Sequence, residues 1–146
     1  MVLVAVLVGC GAAEVATPEY TEDAPLEVEL RGNRIVFNHR IEFAHDSDRL
    51  LAESHEVLDR VVELLDAHES IIRIQVQGHS STDGDVRHNR DLSERRAEAV
   101  AEYLRSQGVA QEVTSQGYGE TYPLCQEDSP DCHARNRRVE FFVDER

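Results

Sequence analysis

Between Leu50 and Gln107 the apolar residues change their period twice, and this restricts the fold more than any other feature. Leu50, Leu51, Val57, Leu58, Val61, Val62, Leu64 and Leu65 recur at helical spacing, with Asp46 or Ser47 available as an N-cap. Ile72, Ile74 and Val76 then alternate with Arg73, Gln75 and Gln77, the pattern of a half-buried strand, which Gly78 ends. After a polar loop from His79 to about Asp91, helical spacing returns in Leu92, Ala99, Val100, Tyr103 and Leu104, and Gly108 follows Gln107 as a C′ residue. Short strands are expected at Arg34–Phe37 and Arg40–Phe43 around Asn38-His39, at Val113–Gln116, and at Arg138–Val143. The order β-α-β-α-β-β with a hairpin-like start predicts an α+β fold. It is a two-layer sandwich with helices packed on one face of a mixed β-sheet.

The chain has 146 residues, enough for one domain with short appendages. Its 29 acidic residues outnumber 15 basic ones for a net charge of −14. Such a chain repels nucleic-acid phosphates and anionic lipid, so neither is an expected partner of its surface. All the basic residues are Arg, which stay charged and bind carboxylates in two-pronged fashion. Seven of the fifteen fall in two segments: Arg87, Arg90, Arg95 and Arg96, then Arg135, Arg137 and Arg138. Two readings of these clusters stand: an anion site, or a solvated face paired with Asp91, Glu94 and Glu98.

Residues 1–9 read as a lipoprotein signal. Met1–Val8 is continuously apolar but too short to span a bilayer, and Leu7-Val8-Gly9-Cys10 resembles a bacterial lipobox with Cys10 as the lipidated residue. No basic residue precedes Arg31, so the natural start is expected upstream; Gly11 in place of Asp points to outer-membrane delivery. Residues 10–32, with Pro18, Pro25 and no apolar period, read as a flexible tether, and residues 33–146 as the folded domain. In an exported chain Cys125 and Cys132 are expected to form a disulfide; a metal site with His133 and free thiols are the alternatives.

No catalytic constellation stands out. The seven His lack metal-ligand spacing, Gly117-Tyr118-Gly119 lacks the Lys of a phosphate loop, and no Ser-His-Asp or Cys-His motif appears. The chain is therefore expected to be neither an enzyme nor a cofactor binder.

Four pieces in order carry a resemblance: Gly78-His79-Ser80-Ser81-Thr82-Asp83-Gly84 with Asn89, Leu92-Ser93-Glu94-Arg95-Arg96-Ala97, Gly117-Tyr118-Gly119-Glu120, and Asn136-Arg137-Arg138-Val139-Glu140-Phe141. Over residues 34–145 the chain resembles the OmpA C-terminal domain of the OmpA/Pal/MotB peptidoglycan-binding family. The lipobox and tether make the layout similar to Pal-type lipoproteins. The resemblance implies a non-catalytic binder of the cell-wall stem peptide that recognises diaminopimelate. Arg96 falls on the family Arg that grips a carboxylate, and Asn89 on the family Asn. Ser81 stands where the family Asp grips the ligand's ammonium, so that charge is missing. Asp83 is a candidate substitute and Asp85 a weaker one, and peptidoglycan binding is expected to survive weakened or with a changed ligand preference. Helix two, expected to open near Leu92, would add its free N–H groups beside Arg96. Arg137 is expected to face the ligand groove, His79 to be structural, and Asn136 to fix the entry to the last strand. The implied function is an outer-membrane lipoprotein whose periplasmic domain holds peptidoglycan. Its partners would be peptidoglycan, the outer membrane through lipid, and envelope proteins. The alternative is an envelope protein-interaction module with weakened or lost peptidoglycan binding, Ser81 being its trace.

Overall fold

The computed structural model describes residues 19–146; Cys10 and the expected signal lie outside the described residues. The elements run β1 (Val28–Arg31), β2 (Arg34–Phe37), α1 (Ala52–Ala67), β3 (Ile71–His79), α2 (Val86–Ser106), β4 (Glu112–Gly119), α3 (Pro130–Asn136) and β5 (Arg138–Glu145). The five strands form one mixed sheet in the order β1-β2-β5-β3-β4. The β3–β4 pair is parallel, with α2 as its crossover, and the other pairs are antiparallel. Val57, Leu58, Val61 and Leu65 of α1 and Ala97, Val100, Ala101 and Leu104 of α2 close over Ile74, Val76, Val113, Phe141 and Val143 of the sheet. The α+β sandwich read from periodicity is thus the observed architecture.

Several local expectations are corrected. Val28–Arg31, read as the end of a tether, is an edge strand hydrogen-bonded to β2. Its short alternating pattern sits between Pro25 and Gly32 and was hidden by its polar surroundings. Arg40–Phe43 is not a strand: only Phe43 makes a bridge, to Leu50. Its alternation is met by a loop that buries Ile41, while the Glu42 peptide is held by Ser54, whose Oγ accepts from Glu42 N at 2.6 Å. Neither Asp46 nor Ser47 caps α1; Leu51 is the N-cap residue and offers no side-chain bond. Ile72 is 46% exposed and Ile71 takes the core position, because a register shift between Ile71 and Arg73 moves the phase of β3 by one residue. β3 also runs through Gly78 to His79.

The loop expected to reach Asp91 ends at Asp85, whose carboxylate accepts from His88 N at 2.8 Å and caps α2. The stretch around Cys132 is not a bare loop. Ser129 caps Cys132 N and Pro130 occupies the first turn of α3, a Ser-Pro start of the kind that opens helices. That turn carries Cys132 back to Cys125, and the two are disulfide-bonded with Cα atoms 5.8 Å apart, which leaves no thiolates for the metal alternative. Asn136 is fully buried: its Oδ1 accepts from Leu124 N at 2.8 Å and its Nδ2 donates to Cys125 O at 3.0 Å. It therefore clamps the disulfide loop against the end of α3, one residue before Arg137.

Candidate functional site

The residues singled out in the sequence meet at one groove of about 750 Å³. The β3–α2 loop contributes Ser81 and Asp83, α2 contributes Asn89 and Arg96, and the junction of α3 and β5 contributes Arg137. Two glycines bring α2 this close to the sheet. A Cβ on Gly78 would lie 2.2 Å from Ser93 O, and one on Gly117 2.3 Å from Glu94 N.

Arg96 is a half-buried cation of the groove. Its Nε donates to Ser47 O at 2.8 Å and its guanidinium lies 5.1 Å from the Phe43 ring centre. Among the described residues no carboxylate comes within ion-pair distance of it. Burial, and then the like charge of Arg137, make its charged form less favourable than in water. The neighbouring Arg95 behaves in the opposite way: it faces out and pairs with Asp91 at 2.9 Å and Asp48 at 3.7 Å. Pairing with Asp91 thus describes Arg95, whereas Glu98 is taken by Arg105 at 2.8 Å. One expectation fails here. α2 begins at Val86, so Arg96 stands about three turns inside the helix and gains nothing from its free N–H groups.

Ser81 is buried, and its hydroxyl donates to the Asp83 carboxylate. That bond holds the Asp83 carboxyl below its ordinary range; partial burial opposes it, and the charges of His133 and Arg137 add to it. Asn89 fixes the same loop by donating to Asp83 O at 2.7 Å and Ser81 O at 3.3 Å. The residue in place of the acid thus presents another acid two positions on. Asp85 is spent on the helix cap. His79 is buried at the strand end, stacked on Tyr118 at 5.5 Å, with Nε2 3.6 Å from Glu140. Arg40, Tyr20 and Phe43 also border the groove or support its cations, and nothing local in the sequence singles them out.

The family model for the OmpA family matches residues 42–137, which includes every one of these loops and helices except the N-terminal segment. The chain belongs to the OmpA family. This OmpA-family chain is 33% identical to outer membrane protein A of Bordetella avium over 92% of its own length and 67% of that protein. It is 35% identical to the peptidoglycan-associated lipoprotein of Legionella pneumophila over 70% of its own length, and spans 58% of that relative, less than two thirds. Among solved structures it is similar to the cell wall anchor of the T6SS from Pseudomonas aeruginosa, with a TM-score of 0.68 and 31% identity, covering 83% of this chain and 88% of that one.

Proposed function

We propose that this domain binds peptidoglycan non-covalently through the stem peptide, and that Cys10 carries lipid, so that the chain tethers the outer membrane to the cell wall from the periplasmic side. The observation that carries the reading is a separation of charge within one groove. Arg96 and Arg137 stand without a carboxylate partner among the described residues, while Asp83 is held ionised by Ser81. A zwitterionic amino-acid end such as that of diaminopimelate needs both poles: a guanidinium fork for its carboxylate and an anion for its ammonium. Asn89 sets the distance between the poles by fixing the loop to the helix. The binding is without chemistry: the residues hold a ligand and move no proton. The relatives named for peptidoglycan support the same ligand. A polymer with many repeated sites tolerates modest affinity per site.

Titration with a diaminopimelate stem peptide tests the site. Arg96→Ala is expected to weaken binding about ten- to a hundredfold, the worth of a charge-assisted bidentate contact, with an unchanged melting temperature. Wild-type protein that neither binds the peptide nor sediments with purified sacculi would overturn the reading. Ser81 in the place of an acid favours one second reading, an envelope protein-interaction module that no longer needs the wall. In that case Arg96→Ala would leave capture of the partner untouched.

A further inference from the structure

Residues Tyr20–Ala24 lie outside the matched family region, yet they are built onto the groove. Thr21 N donates to Asn38 O at 2.8 Å, and Ala24 N turns back to Thr21 O at 2.9 Å. The Asn38 side chain accepts from Glu27 N at 2.8 Å and donates to Pro25 O at 2.9 Å, and His39 Nε2 meets Ala24 O at 2.9 Å. This strap brings the Tyr20 ring within 4.5 Å of the Arg40 guanidinium, on the groove wall. On its other side Arg40 donates through Nη1 to Ala134 O of α3 at 3.0 Å. That bond uses one of five guanidinium donors. Among the described residues no carboxylate lies within ion-pair distance of Arg40, whereas nearby Arg138 is neutralised by Glu140 at 2.9 Å.

We propose that Arg40, clamped between the Tyr20 ring and the end of α3, is a second carboxylate subsite of the groove, distinct from the one at Arg96 and Arg137. A planar fork with unused donors, oriented by a carbonyl and an aromatic face, is pre-organised for a carboxylate oxygen pair. The ligand class that satisfies both subsites is a peptide with two free carboxylates. One belongs to the zwitterionic end and the other to a residue further along the chain. The inference rests on the reading of the groove as a stem-peptide site, and adds that the site selects for ionised over amidated peptide.

Two probes test it: a diaminopimelate stem tripeptide with its C-terminal carboxyl blocked as an amide and its glutamate α-carboxyl free, and the same peptide with the glutamate α-carboxyl amidated as well. Wild type is expected to bind the free form about tenfold more tightly. Arg40→Gln is expected to erase that difference by weakening only the free form, and so to keep the amidated form as its own control for folding. Equal binding of both peptides by wild type would overturn the subsite and leave the stem-peptide reading in place. So would an Arg40→Gln loss that is the same for both. Failure of wild type to bind either peptide would overturn both.

Discussion

Arg95 and Arg96 are adjacent in sequence and opposite in use. One is exposed and paired with Asp91 and Asp48; the other is half-buried, lies beside Phe43 and has no carboxylate partner. A half-buried cation without a counter-charge is costly, and in the proposed complex a ligand carboxylate would offset that cost. The acid pole follows a similar logic. Ser81 spends its hydroxyl on Asp83, so in the proposed complex Asp83 would supply the charge. Asp83→Asn is expected to weaken stem-peptide binding about tenfold by calorimetry. Ser81→Asp in the wild-type background is expected to gain nothing, because two carboxylates would then compete for one place. In the Asp83→Asn background it is expected to restore most of the affinity. A gain from Ser81→Asp alone would show that Asp83 is not the acid pole.

At the level of elements, α2 connects core to site. Its Val100 and Leu104 are buried in the core while Asn89 and Arg96 line the groove. The helix can reach both only because β4 offers Gly117 where it crosses the Glu94 backbone. Gly117→Ala therefore drives a methyl into main chain, not into a pliable side-chain end. It is expected to cost about 1–3 kcal/mol of stability in denaturant unfolding and to weaken peptide binding as well, because α2 moves as a unit. An unchanged midpoint would mean that the helix rides higher on the sheet than the structure places it. α3 has the parallel role on the opposite wall. Seven residues would not hold a helix alone, and the disulfide with the buried Asn136 amide secures it, placing Ala134 and Arg137. Closing the Cys125–Cys132 loop contributes about 2.5 kcal/mol in the chain-entropy account.

For the molecule as a whole, one acid ties three neighbouring strands together. Glu140 of β5 meets Arg138 at 2.9 Å, Arg34 of β2 at 3.1 Å and His79 of β3 at 3.6 Å. Burial alone would push its carboxyl up, but the polar contacts with His79 and Arg138 outweigh it and hold it down at about 2. An unfolded Glu takes its proton near 4.3, so the folded state is favoured while Glu140 stays ionised. The stabilisation is complete above about pH 4.3, declines as pH falls, and is gone below about 2; its size is on the order of 3 kcal/mol. Unfolding curves of wild type and Glu140→Gln should therefore differ most near neutral pH and converge toward pH 2. A gap of constant size across that range would contradict the assignment. The −14 charge of the chain adds repulsion at neutral pH, so this central pairing acts where it is most needed.

Periodicity and motif spacing are local, and what depends on them was legible in the sequence. The two long helices, the β3 strand and the two-layer architecture rest on spacing that neighbouring residues report to one another, while the family, and with it Asn89, Arg96 and Arg137 as candidates, rest on the resemblance of four short motifs. The limits of those elements were less legible. β1, α3 and the true start of α2 are short or polar stretches that pairing, a Ser-Pro cap and a disulfide make worthwhile only in context. The charge balance of the groove was not legible at all. Whether a guanidinium is spent or available depends on groups remote along the chain: Ser47 and Phe43 for Arg96, Tyr20 and Ala134 for Arg40, Glu140 for Arg138. The chain alone determined which residues carry charge and which face of each helix is apolar. Only folding, by bringing distant partners together and excluding water from some of them, decided which of those charges are paired and which stay unpaired.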